Sequence, residues 1–233
     1  MEKLISVAVM RASDAAEIAG GTDSKTLMYR AGLGLFQSWN WHGRIDIVTG
    51  SGNNAGDGYV LALLLHQHGI PCRIVRTTEK NSPDGGYFFS KCEERGISVT
   101  DSIDFSHTDI IADCLLGTGF RGELRPAMRQ IVEQINQSGA SVLSVDINSG
   151  MNGDTGEGTR VVRSDLTVTI GYVKRGLITA NAGHWMKRLV CADIGIRLEK
   201  QEWMIYDSQE PVREGGIPCP PWLDMVPIQA VTE

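Results

Sequence analysis

The stretch Gly50-Ser51-Gly52-Asn53-Asn54-Ala55-Gly56-Asp57-Gly58 carries the most information about the fold. It stands between a short apolar run, Ile45 to Val48, and a nearly all-apolar run, Tyr59 to His68, which Gly69 ends. The first has the length of a buried strand and the second that of a helix. Four glycines in nine residues permit unusual φ and close backbone approach. The helix behind them begins with free N–H groups and the positive end of its dipole, an arrangement that receives anions. A plain turn rarely needs two asparagines and an aspartate together.

Downstream the same alternation repeats. Cys72 to Val75 reads as a second strand, residues 86–95 as a weaker helix, and Ile97 to Val99 as a short strand. Asp109 to Leu116 is another strand. Glu123 to Gln137 is a helix with Leu124, Met128, Ile131 and Ile135 on one side and Pro126 in its first turn, where proline is tolerated. Val142 to Val145 and Leu166 to Ile170 are strands, and Leu189 to Ile196 reads as the last. Upstream, the first 40 residues look helical. Ser24 can cap a helix bearing Leu27, Met28, Ala31, Leu35 and Trp39, and Gly43 is a plausible stop. Gly32 and Gly34 weaken that helix but let another backbone come close. Strands separated by helices imply right-handed βαβ units and a mostly parallel sheet covered on both faces. Ligands of such folds bind outside the carboxyl ends of the strands. One domain over residues 1–233 is expected, with residues 200–233, rich in proline, as an irregular tail or oligomer arm.

Bulk properties narrow the function. The net charge of −6 argues against a nucleic-acid binder. The five cysteines are odd in number and none are at CxxC spacing, as expected of reduced thiols in the cytoplasm. His66 and His68, two apart on a helix, point to different sides and cannot share a metal. No segment approaches the roughly 20 apolar residues of a membrane span. The start reads as mature protein, since Arg11 and Asp14 interrupt its short apolar run.

Two further polar clusters end predicted strands and should converge with the first on one sheet edge. In Asp113-Cys114-Leu115-Leu116-Gly117-Thr118-Gly119-Phe120-Arg121-Gly122-Glu123, a carboxylate sits inside an apolar strand. That is costly unless something positive meets it or backbone N–H groups bind it. The Gly117-Thr118-Gly119 turn offers donors for phosphate oxygens. In Asp146-Ile147-Asn148-Ser149-Gly150-Met151-Asn152-Gly153-Asp154, Asp146 suits a general acid or base, a ligand anchor, or a turn stabiliser. Asn54, Asp113 and Ser149 then offer three oxygen ligands from three loops. With one carboxylate among them, they suit a weakly charged cation better than zinc.

The clusters, in this order and spacing, resemble the NAD(P)HX epimerase family, also called the YjeF N-terminal domain family. GSGNNAGDG, DCLLGTG and DINSG followed by Asn152-Gly153-Asp154-Thr155-Gly156 match its motifs, as do Thr26 to Gly32, Ser164 to Thr169 and Lys174 to Leu177. The likeness runs over about residues 4 to 197. It implies a Rossmann-like three-layer αβα sandwich preceded by N-terminal helices. It implies an isomerase that interconverts the R and S epimers at C6 of hydrated NADH or NADPH, so that a dehydratase specific for the S form can repair both. It also implies bound potassium and a homodimer. Carried over by motif, Asn53, Asn54, Ala55, Gly56, Asp57, Gly117, Thr118, Gly119, Phe120, Arg121, Gly122, Glu123 and Asp146 contact the hydrate. Asn54, Asp113 and Ser149 hold potassium (K+). Asp146 is the expected acid/base and Lys174 a secondary charge partner.

Two departures stand out. Ala55 replaces the usual glycine, adding a Cβ where positive φ could be needed, and Asn148 replaces the usual proline, loosening the turn that presents Ser149. Two rivals remain. A non-catalytic binding or scaffold module would need the fold but not the acid/base and cation groups. An ordinary dehydrogenase would need a ribose-binding carboxylate after the second strand, where the chain reads Arg73-Ile74-Val75-Arg76.

Overall fold

The computed structural model describes residues 2–200, 202–206, 216–218 and 229–230. Its main sheet has eight strands, all parallel, and in chain order they are β2 (Ile45–Thr49), β3 (Cys72–Arg76), β4 (Ser98–Thr100), β5 (Ile110–Cys114), β6 (Ser141–Val145), β7 (Leu166–Ile170), β9 (Leu189–Asp193) and β12 (Gln229–Ala230). Across the sheet they run β12-β9-β7-β6-β5-β2-β3-β4. From β2 the chain winds outward to β3 and β4, then returns to β5 on the other side of β2 and winds the opposite way. The crevice between β2 and β5 is therefore the topological switch point, where ligands bind in open α/β sheets. The register pairs Val48 with Asp113 and Thr49 with Cys114, which aligns the carboxyl ends of the two strands.

Two apolar layers cover the sheet. Ile45, Ile47, Ile74, Ile110, Ala112, Leu143 and Val145 face α2 (Ser24–Gln37), α3 (Asn53–Gln67) and α4 (Pro83–Glu94). Val48, Val75, Ile111 and Val142 face the other way, toward Val132 and Ile135 of α5 (Pro126–Gln137). The alternation follows the two-residue period of a strand. Asp46 is the buried charge on β2. It accepts a two-pronged hydrogen bond from Arg73 on β3, at 2.9 and 2.6 Å, and a third bond from Thr108.

The expected layered α/β architecture with its parallel sheet is what the chain forms. Several boundaries differ, each for a local reason. The first 40 residues are not all helical: β1 (Glu2–Ile5) precedes α1 (Val7–Ala19). Four residues carry no periodicity, and β1 is held by distant partners, parallel to β8 (Val173–Lys174) and antiparallel to β10 (Trp203–Tyr206). Asp23, not Ser24, caps α2, accepting from the Lys25 amide at 2.8 Å. That helix stops at Gln37 under a Ser38 cap, well before Gly43. The largest difference is in α3, which begins at Asn53 rather than Tyr59, so that only residues 50–52 form the turn. Glycine and asparagine are poor inside a helix but tolerated in its first turn. The irregular tail expected over 200–233 holds three short strands, β10, β11 (Gly216–Pro218) and β12, because sheet edges recruit them; the remainder lies outside the described residues.

Candidate active site

A cavity of about 860 Å³ opens at the switch point. Its walls come from the loop after β2 with the first turns of α3, the loop after β5, the end of β6, Lys174 of β8, and α1 with α2. Asn53, Asn54, Asp57, Gly117, Thr118, Gly119, Phe120, Arg121, Glu123 and Asp146, all expected from the motifs, line it. Three other expected residues do not. Ala55 is buried in the core behind α3. Gly56 faces Met28 and Gly85, where a side chain would collide with the Met28 thioether. Gly122, at φ +79°, turns the chain toward α5.

Asp146 is the unusual residue of the site. Among the described residues it is the only non-glycine with positive φ, at +64°. Such backbone costs about 1–3 kcal/mol and persists where its surroundings impose it. Here its amide donates to Val168 O at 2.7 Å and the next amide to Val145 O at 2.8 Å. The side chain is held equally firmly. Lys174 Nζ, itself 1% exposed, donates to Asp146 Oδ1 at 2.6 Å, to Thr169 Oγ1 at 3.1 Å and to Ile170 O at 2.6 Å, so all three ammonium protons are used. The Ile170 amide and the Thr169 hydroxyl also point at Oδ1, from 3.3 and 3.4 Å. Every one of these contacts falls on one oxygen. The other, Oδ2, abuts Gly117: a Cβ built there would sit 3.3 Å from it and 3.1 Å from Asn54 Oδ1. The glycine is what allows the two side chains and the Gly117–Gly119 backbone to converge.

Of the three oxygen residues named as cation ligands, Asp113 lies on β5, Ser149 on the loop after β6 and Asn54 in the first turn of α3. Asp113 is fully buried at the end of β5. Its oxygens accept from Ser149 Oγ at 2.5 Å, Ser149 N at 3.0 Å, Ser144 Oγ at 2.9 Å and Leu115 N at 3.4 Å. Burial pushes its carboxyl above the usual range, and these hydrogen bonds oppose the shift. Ser149 Oγ in turn accepts from Leu116 N at 2.9 Å, which ties the loops after β5 and β6 together. Asn54 is buried on the cavity side of α3, and its Nδ2 has no hydrogen-bond partner.

Both expected consequences of the motif departures fail. Ala55 lies inside α3 with ordinary helical backbone, so its Cβ meets no positive-φ constraint. Asn148 does not loosen its turn. Buried, it donates to Val162 O at 2.9 Å, Ser164 Oγ at 3.0 Å and Trp185 O at 3.2 Å, and accepts from Thr167 Oγ1 at 2.6 Å. A side-chain network does there what a proline ring would do by fixing φ.

The α1 wall carries no motif signal in the sequence. Met10, Arg11 and Asp14 line the cavity, and Arg11 donates to Thr118 O at 3.0 Å. Asp154 holds the start of this helix through the Val7 amide at 2.8 Å. Nothing in the motif spacing points to α1, because only the folded chain brings it over the site. Arg76 also finds a structural place, stacking on Phe89 at 4.0 Å and donating to Asn81. No carboxylate stands at the end of β3 for a ribose.

The chain is similar to known proteins in sequence and in fold. The model of the YjeF-related protein N-terminus matches residues 24–176. The NAD(P)H-hydrate epimerase of Limosilactobacillus fermentum is 34% identical over 201 residues, covering 82% of this chain and 97% of that protein. The bifunctional NAD(P)H-hydrate repair enzyme Nnr of Coxiella burnetii is 32% identical over 77% of this chain, which spans 38% of that longer protein. The crystal structure of yeast ynu0, YNL200c, superposes with a TM-score of 0.65 at 20% identity, over 75% of this chain and 82% of the other. By motif, match and architecture, the chain belongs to the family of the YjeF-related protein N-terminus.

Proposed function

We propose that this chain is an NAD(P)H-hydrate epimerase, interconverting the R and S forms at C6 of hydrated NADH and NADPH. The observation that carries this reading is Asp146: one carboxylate oxygen locked by Lys174, the other free beside Gly117 in a cavity sized for a nucleotide-like ligand. Epimerisation at a carbon bearing a hydroxyl requires that the C–O bond break and re-form on the other face, with proton transfer to and from oxygen. A fixed carboxylate at the ring serves that transfer. The Gly117–Gly119 backbone and Arg121 suit the phosphates of the substrate. Separation of the two epimers by chromatography, after incubation with and without protein, measures the activity. Asp146→Asn keeps a residue tolerant of left-handed backbone, so it should stay folded and lose at least about a hundredfold in turnover. Full turnover in that variant would exclude Asp146 as the acid/base.

Potassium is the ion we assign to Asn54, Asp113 and Ser149. The donor set supports it: hard oxygens, a single carboxylate, and hydroxyl and amide partners around Asp113 instead of an ammonium. When bound, the ion would supply a positive charge that offsets the buried Asp113 carboxylate and would tie α3, β5 and the loop after β6 together. The melting temperature should rise with KCl and less with equal NaCl. In Asp113→Asn the difference between the salts should vanish. Identical melting curves in both salts for the natural chain would remove the ion from the site.

The S epimer formed would pass to a separate dehydratase, as a pathway partner. We further propose that the chain acts as a homodimer in the cytoplasm. Among the described residues, no helix is long and apolar enough to cross a membrane.

A further inference from the structure

A second carboxyl shares the cavity with Asp146 in an opposite electrostatic setting. Asp57 lies one helical turn beyond Asn54 on α3, and both line the cavity. Asp146 is paired with an ammonium at 2.6 Å and receives two further donors. Asp57 accepts no hydrogen bond and forms no ion pair among the described residues. The charged and titratable groups around it are mostly of its own sign: Asp146 at the end of β6, Asp14 on α1 with Asp84 of α4 behind it, and the Cys114 thiol on β5. Lys174 is the one cation that opposes them among these groups, and its three protons are already committed. Burial, then the charges of Asp146 and Asp14, push the Asp57 carboxyl well above the usual range. Where two carboxyls in one site have such unlike surroundings, one is suited to stay neutral and the other charged.

We propose that Asp57 is the general acid of the reaction, its neutral carboxyl giving a proton to the departing C6 hydroxyl while the Asp146 carboxylate takes one from the water that returns. This role rests on the epimerase activity proposed above. In the first step the proton moves from Asp57 to the hydroxyl oxygen and the C6–O bond breaks. Water leaves, and the lone pair of the ring nitrogen forms a C=N bond. In the second step water adds to the other face of C6. Its oxygen forms the new C–O bond, its proton passes to Asp146, and the C=N pair returns to nitrogen. One proton has then moved from Asp57 to Asp146, and exchange through cavity water restores the starting state. No oxidant or reductant is needed. From the other epimer the same steps run in reverse, with the two carboxyls exchanging roles.

The test compares the natural chain with Asp57→Asn and Asp146→Asn, using turnover against pH and infrared spectra at neutral pH. D57N keeps a polar amide of the same shape but has no proton to give. It should bind hydrated NADPH with little change in KM and lose about a hundredfold in kcat. It should also lose the alkaline fall in kcat that ionisation of Asp57 produces in the natural chain. The infrared carbonyl bands of protonated carboxyls should include one component that is present in the natural chain and D146N and lost in D57N. An active natural chain with an equally active D57N overturns the role of Asp57 alone. The absence of any carbonyl band that D57N removes overturns it independently of activity. A folded natural chain that epimerises neither hydrate overturns the reaction and this role together.

Discussion

Asn148 shows how a single buried amide can replace a rigid ring. Its four hydrogen bonds span the loop after β6, the Val162–Ser164 segment, β7 and the Trp185 turn. Asn148→Ala would strand the Val162 carbonyl, at about 1–3 kcal/mol for an unsatisfied buried group, while Trp185 O keeps the Ser164 amide at 2.8 Å and Thr167 Oγ1 keeps Ser164 Oγ at 2.9 Å. We expect urea unfolding to show a loss of about 1–3 kcal/mol for this variant, with the denaturant slope unchanged. Because the Asn148 side chain fixes the segment that also carries Asp146 and Ser149, the same variant should raise KM. Asp146 itself was marked by its place at the end of an apolar strand. Its left-handed backbone was not, and Lys174 entered only through the family resemblance as a charge partner, since the lock itself depends on β7 and β8 arriving from 20 and more residues downstream.

At the scale of elements, the close crossing of α2 and α3 is what brings the asparagines of α3 to the cavity. Gly32 of α2 faces Val60 of α3, and a Cβ added there would run into the valine side chain. Gly56 meets Met28 in the same way from the other helix. The presence of Gly32 in a helix was readable as permission for close approach; its partner was not. Gly32→Ala removes a helix-weakening glycine, which favours the variant by up to about 1 kcal/mol. The overpacking it creates costs about 1–3 kcal/mol and should outweigh that gain. Thermal unfolding should therefore show a lower melting temperature for G32A. A higher one would mean that the helices can separate without loss.

Over the whole molecule, the site concentrates carboxyls in partly or fully buried positions. Asp57, Asp14 and Asp113 all have raised values, in each case with burial as the largest cause. In the unfolded chain such groups titrate near 3.9. Between that value and the raised ones the native state holds more protons than the unfolded state, so stability falls as pH rises through this window. Their contribution is fully present below about pH 4 and lost as each native carboxyl ionises. Carboxylates with lowered values, such as the exposed Asp104 and the half-buried Glu17, act in the opposite sense but are screened by solvent. Unfolding in urea across pH 4 to 8 should therefore place D57N level with the natural chain at the acid end and above it near neutrality. A constant difference across the range would mean that Asp57 carries the same charge in both states.

Much of this protein could be read before folding was considered. Apolar runs of strand and helix length, set apart by glycine-rich turns, dictate a parallel α/β sheet, because βαβ units close in only one hand and bury both faces. The same rule put GSGNNAGDG, DCLLGTG and DINSG at the carboxyl ends of neighbouring strands, since motifs that follow parallel strands must share an edge. What the chain could not reveal was everything that depends on partners distant in sequence. The short β1, β8 and β10 have no periodic signature and exist because each supplies the backbone partners of another. The α1 wall of the cavity, the lock between Lys174 and Asp146, and the contrast between Asp146 with its ammonium and Asp57 without a donor arise only when separate loops are packed together. Local pattern is set by propensity and periodicity along the chain. The charge state of a buried carboxyl is set by which groups the fold places around it.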